Sequence, residues 1–322
     1  MWILKVDDNK AQAYKNLLYQ YTGLAFDKQT KLKKNVRSPM NKCAAYAYFS
    51  QDKVEDYMTA RPERLIELHE AMINDLGNSN GKLDAVDLNY VKHVFSYDSY
   101  IKGNKEMSYA LAHLMDVNTC TYCNRQYTLT VDDVDEDGTI VGHLIRPEFD
   151  HWFSQKDYPD LALSYYNLIP ACHICNSIIK RDAEMGIDKH IHPYIDKKIG
   201  FSFSYVPTSD GYAVDIVRDE VVDDDYYERV ENTLELFKLP QIYGAHSGLE
   251  LKELLELATA NHPDYISTLV SDVMMKLGVK EIEAYRILFG IEVSEEDYLK
   301  RPMSKFKSDV IKKIKEDFGK KS

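Results

Sequence analysis

The sequence lacks any long apolar segment. No run of about 18 consecutive apolar residues occurs in its 322 residues, so no transmembrane helix is predicted. The first residues, MWILKVDDNK, contain too short an apolar stretch for the core of a secretory signal peptide. We therefore expect a cytoplasmic protein that does not associate with a membrane.

Cysteine is also scarce, with five residues in the whole chain. An odd number in a chain without a secretion signal argues against a framework of disulfide bonds. Four of the five fall into two Cys-x-x-Cys pairs, Cys120 with Cys123 and Cys172 with Cys175, and Cys43 lies apart. The pairs, rather than the number of cysteines, carry the information.

Positive charge is in deficit. The chain has 40 lysine and arginine residues against 52 aspartate and glutamate residues, which gives a net charge of −12. A protein of this charge repels a polyanion, which counts against a free-standing nucleic-acid-binding protein. The rest of the composition is that of an ordinary globular protein. The length allows two domains, or one domain with large helical additions.

Two segments depart from the acidic balance. The basic residues of the first segment are Lys28, Lys31, Lys33, Lys34, Arg37 and Lys42. Those of the second segment include Lys305, Lys307, Lys312, Lys313 and Lys315. Such clusters can form a basic groove on an acidic protein, or they can be solvated faces of helices. The sequence leaves both interpretations open.

Helical patterns predominate in residues 1–110. The segment PERLIELHEAMINDLG predicts a helix with Pro62 in its first turn and Gly77 at its C-terminal cap. Its apolar positions recur at helical spacing, at Leu65, Leu68, Met72 and Leu76. Residues 1–110 are therefore predicted to form a helical N-terminal region.

The pattern changes in residues 111–200, which we predict to form a small mixed module. Two strand-like runs, 126–131 and 139–149, surround a turn at Asp137-Gly138. Residues 201–322 are predicted to form a β-hairpin around Asp210-Gly211, followed by a helical C-terminal region. The predicted fold class is α+β. Within the last region, Ser247 and Glu250 predict a capping box, ahead of an apolar helix face at Leu251, Leu254, Leu255 and Ala258.

The two cysteine pairs predict a zinc site. Four thiolates can surround one ion if the chain between the pairs folds back on itself, and a tetrahedral site with four sulfur ligands is structural. Two alternatives are weaker. Four buried apolar cysteines would need no ion, and a thioredoxin-like redox pair would need a βαβ pattern, which surrounds neither motif.

The residues near the second pair have the chemistry of phosphodiester hydrolysis. A neutral imidazole accepts a proton near physiological pH, so His151 is the candidate general base. Asp150 and Asn176 offer oxygen atoms to a hard cation, Mg²⁺ or Mn²⁺. Lys180 and Arg181 follow at positions where they could contact flanking phosphates. Taken singly, each of these residues also has an ordinary structural explanation, as a buried histidine, a cap or a turn residue.

The same residues resemble the HNH endonucleases, whose module is called ββα-metal. The matching positions are Asp150-His151, Asn167, and Cys172-x-x-Cys175-Asn176 with Lys180 following. The phrase YPDLALSYYNLIPACHICNSIIK looks like the HNH proteins encoded beside retrons and in Septu-type anti-phage systems. The resemblance covers residues 118–196. Many members of the family have histidine where this chain has Asn176, and both residues occur there.

The resemblance implies further expectations. It assigns Asn167 to the orientation of the His151 ring, and it implies an ATPase or a retron component as protein partner, in anti-phage defence. DNA is the favoured substrate and RNA the second. A different class also remains, a zinc-stapled interaction module with a decayed nuclease site. His190 and His192 lie nearby, either in a simple loop or as a further contact to the site.

Overall fold

A computed structural model describes residues 2–22, 36–259 and 265–318. Helices and short strands are mixed in it and helices predominate, so the predicted α+β class is confirmed. None of the helices in these ranges is both long and apolar enough to cross a membrane. Lys28, Lys31, Lys33 and Lys34 of the first basic segment lie outside the described residues.

The N-terminal region is helical. Its α-helices are α1 (Asp8–Thr22), α2 (Ala44–Tyr48), α3 (Gln51–Thr59), α4 (Pro62–Leu76), α5 (Ala85–Val94) and α6 (Lys105–Met115), with a π-helical turn at Asp98–Lys102 between the last two. The predicted helix is α4, with Pro62 as its first residue and Gly77 as its C-cap. The side chains of Asp84 and Asn104 accept backbone hydrogen bonds at the starts of α5 and α6, which fixes where these helices begin.

The middle of the chain contains four short strands in two hairpins. They are β1 (Val131–Val134), β2 (Ile140–Ile145), β3 (Glu148–His151) and β4 (Leu168–Ala171). β1 pairs with β2, and β3 pairs with β4, both in antiparallel orientation. The first predicted strand run, 126–131, is wrong, because the strand begins only at Val131. The second run, 139–149, is interrupted after Ile145, and Pro147 lacks the backbone N–H that continued pairing needs.

The C-terminal region begins with the predicted hairpin. β5 (Phe201–Thr208) and β6 (Gly211–Arg218) pair in antiparallel orientation across a turn at Asp210-Gly211, where the φ angle of 131° at Gly211 suits glycine. The helices that follow are α7 (Asp224–Leu236), α8 (Leu239–Gly244), α9 (Lys252–Thr259), α10 (Tyr265–Thr268), α11 (Glu281–Phe289) and α12 (Ser304–Phe318).

The predicted capping box is wrong. The Ser247 hydroxyl donates to the Gly244 carbonyl and accepts from the backbone N–H of Val214, so it ties the chain to β6 rather than capping a helix. Glu250 pairs with His246 instead. Residues Ser247–Leu251 form a π-helical turn before α9. The predicted apolar face is buried at Leu251, Leu254 and Leu255, and the side chain of Ala258 lies outside the described atoms.

The three regions share one hydrophobic core. Tyr14 of α1 donates its hydroxyl to the Leu163 carbonyl at 2.9 Å, and the backbone N–H of Trp2 donates to the Thr121 carbonyl at 3.0 Å. From the other end of the chain, the backbone N–H of Met303 donates to the Asn124 carbonyl at 2.6 Å. Both helical regions therefore pack against the middle of the chain and hold it in place.

The second basic segment does not present all its charge to solvent. Lys305 is buried and pairs with Asp309 at 2.9 Å, and Lys313 pairs with Asp317 at 2.7 Å. The ammonium of Lys315 bonds the hydroxyl of Tyr285. Because Lys305 is enclosed in the core, it is not available for a nucleic-acid groove, and only part of the segment fits the alternative of a solvated helix face.

Candidate functional site

The candidate site is built on β3, β4 and the short helix after them. Asp150 lies opposite Ile169, and His151 ends β3 opposite Leu168. The loop 152–167 joins the two strands, and a π-helical segment, Ile174–Lys180, follows β4. The predicted order of strand, loop, strand and helix is therefore present, with the loop much longer than a hairpin turn.

Asn167 holds this loop closed at its base. Its Oδ1 accepts from the backbone N–H of Phe153 at 2.7 Å. Its Nδ2 donates to the carbonyl oxygens of Phe153 and Leu161 at 3.1 and 3.0 Å. The carbonyl of Asn167 also accepts from the backbone N–H of Trp152. These bonds fix the chain directly after His151, so a short polar side chain determines the path of the loop.

The His151 ring is held in one tautomer. Its Nε2 lies 3.0 Å from the carbonyl oxygen of Ala162. A carbonyl oxygen only accepts, so Nε2 carries the hydrogen and the free lone pair is on Nδ1. The ring of Tyr97 packs edge-on against it at 4.5 Å between centroids. Burial lowers the pKa of His151 despite the Ala162 carbonyl and Asp150, so the imidazole is neutral at neutral pH.

Asp150 is part of a buried network. It is 4% exposed, and its Oδ1 accepts from the Lys180 ammonium at 2.9 Å. The hydroxyl of Tyr122 donates to Oδ2. Lys180 also donates to the His151 carbonyl at 2.8 Å. Burial raises the pKa of Tyr122 well above its ordinary value, followed by the effect of the Asp150 charge, so the phenol keeps the proton that it donates.

This network changes the role expected for Lys180. The sequence predicted a lysine that contacts flanking phosphates, but the side chain is only 3% exposed and its ammonium has two acceptors inside the protein. The physical reason is that the buried Asp150 carboxylate needs a partner, and Lys180 at the end of the Ile174–Lys180 helix supplies it. Asp150 is likewise a buried ion-pair partner, with each carboxylate oxygen already accepting one hydrogen bond.

Glu148 is a residue of the site that the sequence analysis missed. Its Oε2 accepts from Asn176 Nδ2 at 2.9 Å and from Ser177 Oγ at 2.8 Å, and its Oε1 accepts from His173 at 2.7 Å. Burial alone would raise the pKa of Glu148, but these three donors outweigh it and lower the pKa. The signal was available, since alternate residues of a strand share a face and Glu148 is two before Asp150.

These groups line one cleft of about 330 Å³. Its charged lining residues are the basic Lys102, Arg146, Lys180 and Arg181 and the acidic Asp98, Glu148, Asp150 and Asp182. Asn176 lines it as well, and its Oδ1 accepts no hydrogen bond from the described residues. Arg146 packs over Phe149 at 5.5 Å. A cleft of this mixed charge can attract a phosphate to its arginines and a cation to its carboxylates at the same time.

The four paired cysteines form one cluster. Cys120, Cys123, Cys172 and Cys175 are all buried, and their sulfur atoms lie within 4.8 Å of one another. Tetrahedral zinc, with Zn–S bonds of about 2.3 Å, places sulfur atoms about 3.8 Å apart, which this spacing accommodates. The cluster can hold a metal ion, and its four soft donors fit zinc. Cys43, as predicted, stands outside it.

Backbone N–H groups face two of these sulfur atoms. The N–H of Arg125 lies 3.4 Å from Cys123 Sγ, and the N–H of Cys175 lies 3.5 Å from Cys172 Sγ. Such contacts stabilise negative charge on the sulfur atoms, as metal-bound thiolates require. Because Tyr122 stands between the first two cysteines and Asn176 follows the last, both pairs lead directly into the cleft.

His190 and His192 do not line the cleft. His192 is fully buried against Trp152, and burial followed by the Arg229 charge lowers its pKa to about 3. It is therefore a neutral core residue and not a phosphate contact. His190 accepts from the backbone N–H of Gly186 at 3.2 Å and closes a turn, which agrees with the simple-loop alternative.

Comparisons of the chain with protein-family models, curated proteins and solved structures give no match. The functional interpretation therefore depends on the geometry of the cleft and the cysteine cluster. Two features of that geometry, the buried ion pair and the cysteine cluster, can be tested without any assumption about the reaction.

The first test concerns the ion pair. Lys180→Met should destabilise the protein by about 3–5 kcal/mol, because it leaves the buried Asp150 carboxylate without its cation. Lys102→Met is the matched control, since this lysine lines the same cleft with 71% of its side chain exposed and should cost less than about 1 kcal/mol. Denaturant unfolding measures both variants. Equal losses of stability would contradict the assigned network.

The second test concerns the cysteines. We expect purified protein to contain one zinc ion per chain, and Cys172→Ser to lose both the ion and the fold around it. Structural zinc supplies about 10–16 kcal/mol of apparent binding free energy in small domains, so the loss should be large. Cys43→Ala is the control and should retain the ion. Elemental analysis and circular dichroism provide the measurements, and a folded, zinc-free Cys172→Ser protein would show that the cluster is not a structural metal site.

Proposed function

We propose that the chain is a metal-dependent HNH endonuclease that hydrolyses phosphodiester bonds in nucleic acid. The observation that carries the proposal is the fixed tautomer of His151, which leaves Nδ1 free on a ring that lines the cleft. The oxygen atoms of Glu148, Asp150 and Asn176 belong to the same cleft. A base, hard-cation ligands and phosphate-attracting arginines are the groups that this hydrolysis needs.

His151 serves as the general base. Its Nδ1 takes a proton from a water molecule, the resulting hydroxide attacks phosphorus, and the bond from phosphorus to the leaving oxygen breaks. General-base catalysis of this kind contributes about 10²–10⁴-fold. The Ala162 carbonyl and Tyr97 hold the ring, and Asn167 holds the loop that carries Ala162. The base is therefore oriented before substrate binds, which lowers the entropic part of the barrier.

The oxygen atoms in the cleft suit Mg²⁺ or Mn²⁺. Asp150 and Asn176 are the ligands expected from the sequence, and we add Glu148. A carboxylate oxygen can accept two hydrogen bonds or ligands, so Asp150 can bind an ion while Lys180 and Tyr122 hold it. A bound ion would neutralise charge on the phosphate and stabilise the leaving oxygen. Lys180 is then a positioning residue for Asp150.

The cysteine cluster, in this proposal, holds a structural zinc ion. Four sulfur ligands leave no open position for water or substrate, so the ion takes no part in hydrolysis. Its role is to fix the start of the Ile174–Lys180 helix, which carries both Asn176 and Lys180. Removing it should disorganise the cleft as well as the cysteine pairs.

Nucleic acid is the proposed substrate, with DNA favoured and RNA second, as the HNH resemblance implies. Arg146 and Arg181 line the cleft and are placed to contact phosphates. The net charge of −12 disfavours binding by the isolated chain, so a partner that supplies nucleic-acid affinity fits the proposal. The resemblance points to an ATPase or a retron component in cytoplasmic anti-phage defence. This last step is an analogy with similar sequences.

One observation favours the alternative, an interaction module with a decayed site. Both carboxylate oxygens of Asp150 already accept hydrogen bonds inside the protein. A closed ion pair could be all that remains of a metal site. The two proposals differ in what they predict for Mg²⁺, because a decayed site gives no metal-dependent cleavage of plasmid, linear DNA or RNA.

His151 gives the decisive variant. His151→Ala should abolish cleavage while zinc content, folding and nucleic-acid binding persist, because it removes a proton acceptor and no metal ligand. The exposed His93 on α5 provides the control, and His93→Ala should cut like the wild type. Cleavage of plasmid, linear DNA and total RNA is measured with Mg²⁺, with Mn²⁺, and with chelator too dilute to remove the buried zinc. Wild-type rates in His151→Ala would place the base elsewhere.

The cation ligands need a separate experiment. Glu148→Gln and Asn176→Ala should each lower the affinity for Mg²⁺ by about 10–100-fold, and high Mn²⁺ should partly restore Asn176→Ala. Asp98→Asn is the control, because this acid lines the same cleft but is 70% exposed at its rim. The Mg²⁺ concentration that gives half-maximal cleavage is the readout. An unchanged value in Glu148→Gln would remove this residue from the proposed ligands.

A further inference from the structure

The β1–β2 hairpin exposes an apolar surface. Val131, Val134, Ile140, Val141, Leu144 and Ile145 are each more than a third exposed. They lie on one short two-stranded ribbon, so the exposure is contiguous and not a scatter of single residues. Contiguous apolar surface on a folded protein marks a site of association.

The base of this ribbon is held rigidly against α6. The His143 ring stacks on Tyr109 with centroids 4.1 Å apart, and its Nδ1 lies 2.6 Å from Asp132 Oδ1. His113 contacts the other oxygen of Asp132 at 2.6 Å. A hairpin fixed in this way loses little conformational entropy when a partner binds, which favours association.

The two edges of the ribbon differ in charge. Among the described residues β2 pairs only with β1, so its outer edge is open. β2 has the sequence IVGHLI, without the lysine or proline that protects many open edges, whereas β1 carries Asp132 and Asp133. Two register shifts leave Val141 and Leu144 without partners on β1, and both side chains are exposed. The apolar edge is therefore β2.

We propose that β2 associates with β2 of a second copy of this chain, in antiparallel orientation about a two-fold axis near Gly142. In this arrangement the aliphatic residues of the two strands face each other and no carboxylate lies opposite another. The acidic turn Asp135–Gly138 of one copy comes beside Arg146 of the other. This charge complementarity favours a second copy and fixes the antiparallel orientation. The inference is independent of the proposed nuclease function.

Sedimentation velocity over a wide range of protein concentrations tests the proposal. Wild type should form a dimer, and Ile140→Lys with Leu144→Lys should weaken it by about tenfold or more, because lysines then oppose each other across the axis. The matched control is Ile282→Lys with Ile287→Lys on α11. The two pairs are equally exposed, at 55% and 61% on the hairpin and 54% and 59% on α11. A wild type that stays monomeric up to its solubility limit would overturn the proposal, as would equal dimerisation of the hairpin and control variants.

Two further variants keep the test decisive if the lysine variant misfolds. Val141→Thr with Leu144→Thr keeps β-branched residues in the strand while removing apolar surface, and it should also weaken the dimer. Arg146→Glu should weaken it too, and adding Glu136→Arg with Asp137→Arg should restore it. Circular dichroism and zinc content establish folding in each case. Failure of the reversed charges to restore association would overturn the antiparallel arrangement.

Discussion

The buried hydrogen-bonding of Asp150 is the interaction on which the rest of the site depends. Its carboxylate joins three parts of the chain, since it lies on β3, Lys180 ends the helix after the second cysteine pair, and Tyr122 lies within the first pair. A charge removed from water must be paired, so none of these three elements can move without uncovering it. The cleft and the cysteine cluster are therefore connected at both ends by one network.

This connection explains how a structural ion can govern a catalytic group without touching it. Lys180 also bonds the His151 carbonyl, so its position fixes the backbone of the base, while the Ala162 carbonyl fixes the ring. A metal-free cysteine cluster would release the helix that carries Lys180, and the strand end would lose its support. Preorganisation of this kind is what a general base requires, because small misplacements of reacting groups cost large factors in rate.

The sequence predicted the parts of the site that depend on spacing and failed where side chains choose among partners. Paired cysteines and the order of elements around His151 follow from local pattern, as does the helix α4. Lys180 could not be placed from sequence, because its fate depends on how deeply Asp150 is buried, a tertiary property. Glu148 was missed since attention went to adjacent residues rather than to alternate positions on one strand face. Lys305 failed for the same reason as Lys180, because it meets Asp309 in the core.

The acidic net charge and a phosphate-binding cleft are compatible once distance is considered. Surface charges are screened over about 8 Å at physiological ionic strength, so carboxylates farther away than this contribute little to the potential in the cleft. Within it, Lys180 is neutralised by Asp150, and Arg146 packs on Phe149. Arg181 has no ion pair among the described residues, and with Arg146 it sets the local attraction for a phosphate. Long-range repulsion then acts on the encounter with nucleic acid rather than on the bound state, which is the step that a partner with its own affinity would assist.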